Sequence, residues 1–76
     1  MATQVIMPRM GSTVVDGMIK KWLIQDESPV SQYQALAEVS SEKVTIEIPA
    51  PAAGILHILK PAGARVPVGE PIATIQ

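Results

Sequence analysis

An all-β fold, a sandwich or barrel of short strands, is what this sequence predicts, and three observations carry that reading. Seven Pro and five Gly fall at short intervals between Pro8 and Pro71. Proline removes a helical hydrogen bond and its ring clashes with the preceding turn, so long helices are excluded. The segments between these breakers are short and rich in Val and Ile, whose branched side chains suit a pleated surface. One of them, Val44-Thr45-Ile46-Glu47-Ile48, alternates apolar and polar residues strictly, as a sheet with one buried and one wet face requires.

Taken in order, the first strand is Gln4 to Met7, stopped by Pro8, and the segment Arg9-Met10-Gly11-Ser12-Thr13 that follows has the character of a loop. Gly17 introduces a longer strand, Met18 to Ile24, and the run Asp26-Glu27-Ser28-Pro29 turns the chain before Val30. Ala35 to Val39 and Val44 to Ile48 are the next two strands. Extending the former to Ser41 leaves only Glu42-Lys43 between them, which predicts a tight antiparallel hairpin with Lys43 at its tip. A two-residue loop opposes Ser41 with Val44, Ser40 with Thr45, Val39 with Ile46, Glu38 with Glu47 and Ala37 with Ile48. Every apolar pair then falls on one face, so pattern and register agree. Two features oppose it locally: Glu42-Lys43 lacks the Gly or Asn favoured in such turns, and Glu38 faces Glu47 as a like charge, each worth no more than about 1 kcal/mol.

The second half repeats the first. Val5-Ile6-Met7-Pro8 is echoed by Ile46-Glu47-Ile48-Pro49 at an offset of 41, and Gly17-Met18-Ile19 by Gly54-Ile55-Leu56 at 37, which also sets Trp22 opposite Leu59. Val30 matches Val66, Leu36 matches Ile72 and Val39 matches Ile75, all at 36. A pseudo-two-fold sandwich is implied, closing with the strand Ile72 to Ile75. The shrinking offset assigns about four extra residues to the loop at 9–13, and loops lengthened on a regular scaffold are places for partner recognition.

The composition narrows the function classes. One domain spanning 1–76 is expected, with 47% hydrophobic and 17% charged residues, the balance of a folded globule. The chain has no Cys, so neither disulfides nor zinc-thiolate sites are available. The start MATQVIMPRM has no basic segment followed by a long apolar one, and no apolar run approaches a membrane span. A cytoplasmic, monomeric domain without membrane contact is the expectation. A net charge of -1, with four Lys and two Arg scattered along the chain, offers no stripe for a phosphate backbone, so nucleic acid is not an expected partner. Catalysis finds no constellation either. His57 is the single His and sits in an apolar strand, the Ser residues have no partnered base, and Met7, Met10 and Met18 are too dispersed to bind a metal. Gly11 and Gly17 complete no phosphate-binding motif. Trp22 reads as core packing whose indole N–H needs one acceptor.

The run from Glu38 to Gly54 around Ser41-Glu42-Lys43-Val44-Thr45 resembles the attachment segment of lipoyl domains. Upstream, Met7-Pro8-Arg9-Met10-Gly11 is similar to the opening "Met-Pro-x-Leu-Gly" of that family, and Gly17-Met18-Ile19-Lys20-Lys21-Trp22 to its "Gly-x-Ile-x-x-Trp" strand. Downstream, Val66-Pro67-Val68-Gly69-Glu70-Pro71-Ile72-Ala73 resembles its closing segment, so the likeness runs through essentially the whole chain. It implies a flattened barrel, or barrel-sandwich hybrid, of two four-stranded antiparallel sheets, with the modified lysine in a tight turn of one sheet and both termini in the other.

The resemblance makes Lys43 the residue whose ε-amine forms an amide with lipoic acid. Glu42 stands where the family has an acidic neighbour, and Val44 where it commonly has Ala. The turn after Gln25 departs from the family, because Asp26-Glu27-Ser28-Pro29-Val30 lacks its usual Gly-Asp pair. The implied role is a non-catalytic carrier domain, excised from a longer multidomain acyltransferase chain. Its lipoyl arm would be loaded by a lipoate ligase or lipoyl transferase and acylated by a thiamine-diphosphate-dependent 2-oxo acid decarboxylase. It would then deliver the acyl group at an acyltransferase core and be reoxidised by dihydrolipoyl dehydrogenase. Met10, Gly11 and Ser12 are expected beside the Lys43 turn, where with Glu42 and Val44 they would serve recognition. Two rivals stand beside this reading: a biotin carrier, which typically presents its lysine between two Met residues, and an unmodified interaction sandwich.

Overall fold

A computed structural model of the chain describes residues 2–11, 13–41 and 44–76. Ser12, Glu42 and Lys43 lie outside the described residues. Eight strands follow in order: β1 Thr3–Ile6, β2 Asp16–Trp22, β3 Pro29–Val30, β4 Ala35–Ser41, β5 Val44–Pro49, β6 Gly54–Ile58, β7 Arg65–Pro67 and β8 Pro71–Ile75. They form two four-stranded antiparallel sheets, β1-β8-β6-β3 and β5-β4-β2-β7. Each sheet keeps its own edges, so the flattened barrel is a sandwich. The terminal strands β1 and β8 pair in one sheet, and the β4–β5 hairpin lies in the other. Among the described residues no helix is long and apolar enough to cross a membrane.

Advancing each strand of the first order by half the set, β1 to β5 and β8 to β4, reproduces the second order, so the internal repeat is a true exchange of the two sheets. Backbone hydrogen bonds correct its register. Met7 N–H donates to Glu70 O (2.9 Å) and Ala50 N–H to Gln34 O (2.8 Å). Met7 therefore corresponds to Ala50, both fully buried, and Pro8 to Pro51. The sequence match of Met7-Pro8 to Ile48-Pro49 was two residues out of register, because a second Pro follows the first in Ile48-Pro49-Ala50-Pro51. The first half thus places Arg9 to Asp16 between its proline and Gly17, where the second has only Ala52 and Ala53 before Gly54. The loop is longer than expected by two further residues.

Trp22 and Leu59 also part company. Leu23 N–H donates to Leu36 O (2.8 Å) and Leu59 N–H to Ile72 O (2.9 Å), which makes Leu59 the counterpart of Leu23. Trp22 corresponds instead to Ile58, and both are half-buried against the core. The slip arises at Lys20, an extra residue in β2 where the β2–β4 register steps from Ile19↔Val39 to Lys21↔Glu38. The Trp22 indole finds its acceptor in Lys60 O at 2.9 Å, linking the two sheets.

The core is built from matched pairs. Ile19 with Leu56, Leu36 with Ile72, Val39 with Ile75 and Val30 with Val66 are all buried. Leu36 is a second extra residue, since the β4–β5 register steps from Ala35↔Pro49 to Ala37↔Ile48. The bulge turns both Leu36 and Ala37 inward, against the alternation expected of an unbroken strand. Strand ends differ modestly from the sequence reading: β2 stops at Trp22 rather than Ile24, and Met7 falls just outside β1. β3 and β7 are short and proline-bearing, and each buries one valine, Val30 and Val66, between exposed neighbours or beside one.

The turn that departs from the lipoyl-domain pattern is closed in the same way as its counterpart. Glu27 N–H donates to Leu56 O (2.7 Å), just as Gly63 N–H donates to Ile19 O (2.6 Å). Glu27 adopts φ 62 where Gly63 has φ 89, and Tyr33 adopts φ 72 where Gly69 has φ 92. The first half thus forces two side-chain-bearing residues into the left-handed region that glycine enters without steric cost. Asp26 supports the first of them by accepting the Ile58 N–H at 2.8 Å.

Candidate functional site: an edge hairpin and its neighbouring loop

The predicted register of the β4–β5 hairpin is the observed one: Ser41↔Val44, Ser40↔Thr45, Val39↔Ile46, Glu38↔Glu47 and Ala37↔Ile48. Covalent connectivity leaves residues 42 and 43 as the whole link between Ser41 and Val44. β5 is an edge strand, paired on one side only, and it begins at Val44, next to that link in the chain. Burial fades toward it. Ile48 is 6% exposed, Ile46 is half-buried and Val44 is 42% exposed. The core-facing side chains of β5 therefore run out of sandwich to pack against before the strand begins at Val44.

Polar contacts hold the hairpin where packing fades. Ser41 Oγ donates to the backbone carbonyl of Asp16 at 3.2 Å. Asp16 is in turn held by its pairing with Pro67 on β7 and by an ion pair between its Oδ1 and Arg65 Nη1 at 2.9 Å. On the outer face, the Glu38–Glu47 repulsion expected from the sequence has a counterweight: Lys21, opposite Glu38 on β2, places Nζ 3.8 Å from Glu38 Oε2. Both pairs are solvent-accessible and so contribute at most about 1 kcal/mol each.

The long loop meets the hairpin through the start of β2. Met10 is half-buried against the core, and its methyl covers Gly17. A Cβ at Gly17 would lie 2.5 Å from Met10 Cε and 2.9 Å from Met7 Sδ, so any side chain there would oblige the ends of these two methionines to move. Gly11 O accepts the Val14 N–H at 3.2 Å, turning the loop back, and Val15 O accepts the Val68 N–H at 2.9 Å. Asp16 then reaches Ser41. Of the residues singled out in the sequence, Met10 and Gly11 thus belong to a loop that leads through Asp16 to Ser41, the last residue of β4 before the link, and Val44 lies exposed on the hairpin itself. Ser12, Glu42 and Lys43 are outside the described residues.

Sequence reasoning missed Ser41, Asp16 and Arg65 as a set. One signal was available: Ser41 is a hydroxyl at a position whose neighbours on that face, Val39 and Ala37, are apolar. Among the described residues no three His, Asp or Glu side chains gather as a metal site requires.

Comparison with known proteins agrees with this architecture. The biotin–lipoyl family model, described as "Biotin-requiring enzyme", matches residues 3–75. The chain is 40% identical, over 99% of its length, to the dihydrolipoyllysine-residue succinyltransferase component of a 2-oxoglutarate dehydrogenase complex from Rickettsia felis, covering 19% of that protein. It is 36% identical, over 96% of its length, to the lipoamide acyltransferase component of the branched-chain alpha-keto acid dehydrogenase complex of Bacillus subtilis, covering 18% of it. Over 97% of its length it is 42% identical to the dihydrolipoyllysine-residue acetyltransferase component of the pyruvate dehydrogenase complex of Mycobacterium bovis, covering 14%. The chain therefore spans less than a fifth of each of these relatives.

Proposed function

Because the chain belongs to the biotin–lipoyl family, we propose that it is a lipoyl carrier domain and that Lys43 carries lipoic acid in amide linkage. The observation that supports this most is the hairpin register. Ser41↔Val44 leaves Glu42-Lys43 as the complete connection between two strands at a sheet edge. A lysine there is joined to an ordered sandwich within two residues on either side, while its own side chain is long and extensible.

That combination suits a tether. The dithiolane must be acylated at one active site and discharged at another, and the redox and acyl chemistry belongs to lipoate and the enzymes that act on it. The domain contributes attachment and presentation. It works in the cytoplasm as one domain of a multidomain acyltransferase, without catalytic residues of its own. A lipoate ligase or lipoyl transferase loads it, and a thiamine-diphosphate-dependent 2-oxo acid decarboxylase acylates it. An acyltransferase core takes the acyl group, and dihydrolipoyl dehydrogenase reoxidises the arm. The names of the relatives, all acyltransferase components of 2-oxo acid dehydrogenase complexes, support this placement.

Recognition is assigned to Glu42 and Val44, which flank Lys43, and to Met10, Gly11 and Ser12 in the long loop. Support comes from the path of that loop, which returns through Val15 and Asp16 to Ser41, two residues before Lys43. Replacing residues 9–13 with a loop four residues shorter, which leaves Asp16 in place, should leave lipoylation intact and abolish preferential reductive acylation by the decarboxylase. Unchanged acylation would remove the loop from the recognition surface.

Biotin is the competing cargo, since the family description itself names biotin. Glu42 and Val44 flank Lys43 in place of the paired Met residues typical of biotin carriers. Incubating the purified chain in parallel with lipoate ligase and with biotin ligase, each with ATP and its cofactor acid, tests the choice by intact mass. One lipoyl adduct and no biotin adduct is the expected result; biotin alone would overturn it.

A further inference from the structure

We propose that Ser41 is a positioning residue for the modification of Lys43, its hydroxyl tying the end of β4 to β2 just before the two-residue link. This inference rests on the reading of Lys43 as the attachment site. Three observations carry it. The last described β2–β4 partner pair toward the link is Met18↔Ser40, so Ser41 lies one residue beyond it. The apolar face of β5 is already emerging from the core at Val44, which is 42% exposed. And β5 has no neighbour on its outer side. Here the hairpin has passed its last β2–β4 partner pair and the side chains of β5 are leaving the core, and the bond from Ser41 Oγ to Asp16 O, 3.2 Å long, ties the end of β4 across to β2.

The far end of the tie is itself fixed. Asp16 is the first residue of β2 and pairs with Pro67 of β7. Its carboxylate accepts from Arg65 Nη1 at 2.9 Å, and Arg65 sits opposite Met18 on the same strand pair. The chain of contacts Arg65–Asp16–Ser41 thus crosses three strands in succession, β7, β2 and β4, and ends two residues before Lys43. An enzyme that must bring one lysine amine in line with an activated acyl group gains rate from a pre-set attachment point, because the orientation is then established before the encounter. Loosening the tie frees the end of β4 ahead of Lys43 without removing anything from the core.

The test uses Ser41→Ala and Ser41→Thr in the whole chain, with lipoate ligase, ATP and lipoate. Thermal unfolding is recorded for both variants, and rates are measured well below every midpoint. Ser41→Ala is expected to lower kcat/KM for lipoylation by about three- to tenfold, the range that one net hydrogen bond supplies. Ser41→Thr, which keeps the hydroxyl, should stay within about twofold of the unaltered chain. Wild-type kcat/KM in Ser41→Ala, or equal impairment in Ser41→Thr, would overturn the proposal. Failure of the unaltered chain to accept lipoate is a separate outcome that would strike the carrier reading instead.

Discussion

Glu27 and Gly63 occupy the same place in the two halves of the sandwich, each donating its N–H to a buried strand residue of the other half, Leu56 and Ile19, and both have positive φ, 62 and 89. A side chain in that conformation costs about 1–2 kcal/mol relative to the ordinary right-handed region. Glu27→Gly should therefore stabilise the chain by up to about 1 kcal/mol once the greater freedom of glycine in the unfolded state is offset. Tyr33→Gly should act similarly at the position matching Gly69. Urea unfolding of the single and double variants checks this, and the two gains should add because the two turns bond to different residues, Leu56 and Ala50. Destabilisation by both would show that the side chains, rather than the backbone, are what these turns require.

Gly17 and Met10 form a tight contact at the root of the long loop. Gly17→Val is expected to cost more than about 2 kcal/mol, since the added methyls would meet Met10 and the fully buried Met7. Met10→Ala in the same chain should recover part of that loss by vacating the space. A double-mutant cycle by chemical denaturation measures the coupling, and strictly additive losses would mean that Met10 does not cover Gly17.

The core pairs give a symmetry test. Leu36 and Ile72 are both fully buried at equivalent places, so truncating either to Ala should cost about 2–5 kcal/mol. The two losses should agree to within the scatter expected between sites, about 1–2 kcal/mol. A large loss at one position with almost none at the other, read from the same unfolding curves, would show that the halves do not share the core equally.

On the outer face, Lys21 offsets the facing carboxylates of Glu38 and Glu47. Lys21→Gln should destabilise by less than about 1 kcal/mol, with the effect shrinking as salt is raised. Adding Glu47→Gln should cancel much of the loss, because it removes the repulsion that Lys21 relieves. Salt-independent destabilisation in Lys21→Gln would assign its contribution to the packing of its methylenes instead.

Much of this was legible in the sequence, for identifiable reasons. The alternation of Val44 to Ile48, combined with a two-residue loop, gives a register that keeps all apolar pairs on one face, and that register is the one observed. The sheet exchange was visible because Leu36/Ile72 and Val39/Ile75 keep their spacing. What could not be read was one-residue irregularity. Lys20 and Leu36 are bulges, and a bulge in a strand has the same composition as the strand around it. Their effect was to displace Trp22 from Leu59 and to hide the inward turn of both Leu36 and Ala37. The repeated prolines of Pro49-Ala50-Pro51 concealed the true counterpart of Met7 for a different reason: either Pro could have matched Pro8. The brace through Ser41 was legible at one end only: its hydroxyl interrupts the apolar face of Ala37 and Val39, but its acceptor is a backbone carbonyl, which no side-chain pattern announces.

Site-resolved mass spectrometry of the chain expressed with lipoate available tests the central claim most directly. Peptide mapping should find a single lipoyl amide on Lys43, complete loss of the adduct in Lys43→Arg, and none on Lys20, Lys21 or Lys60. A lipoyl group on any of those three, or a Lys43 left bare while lipoate ligase and lipoate are present in excess, would contradict it.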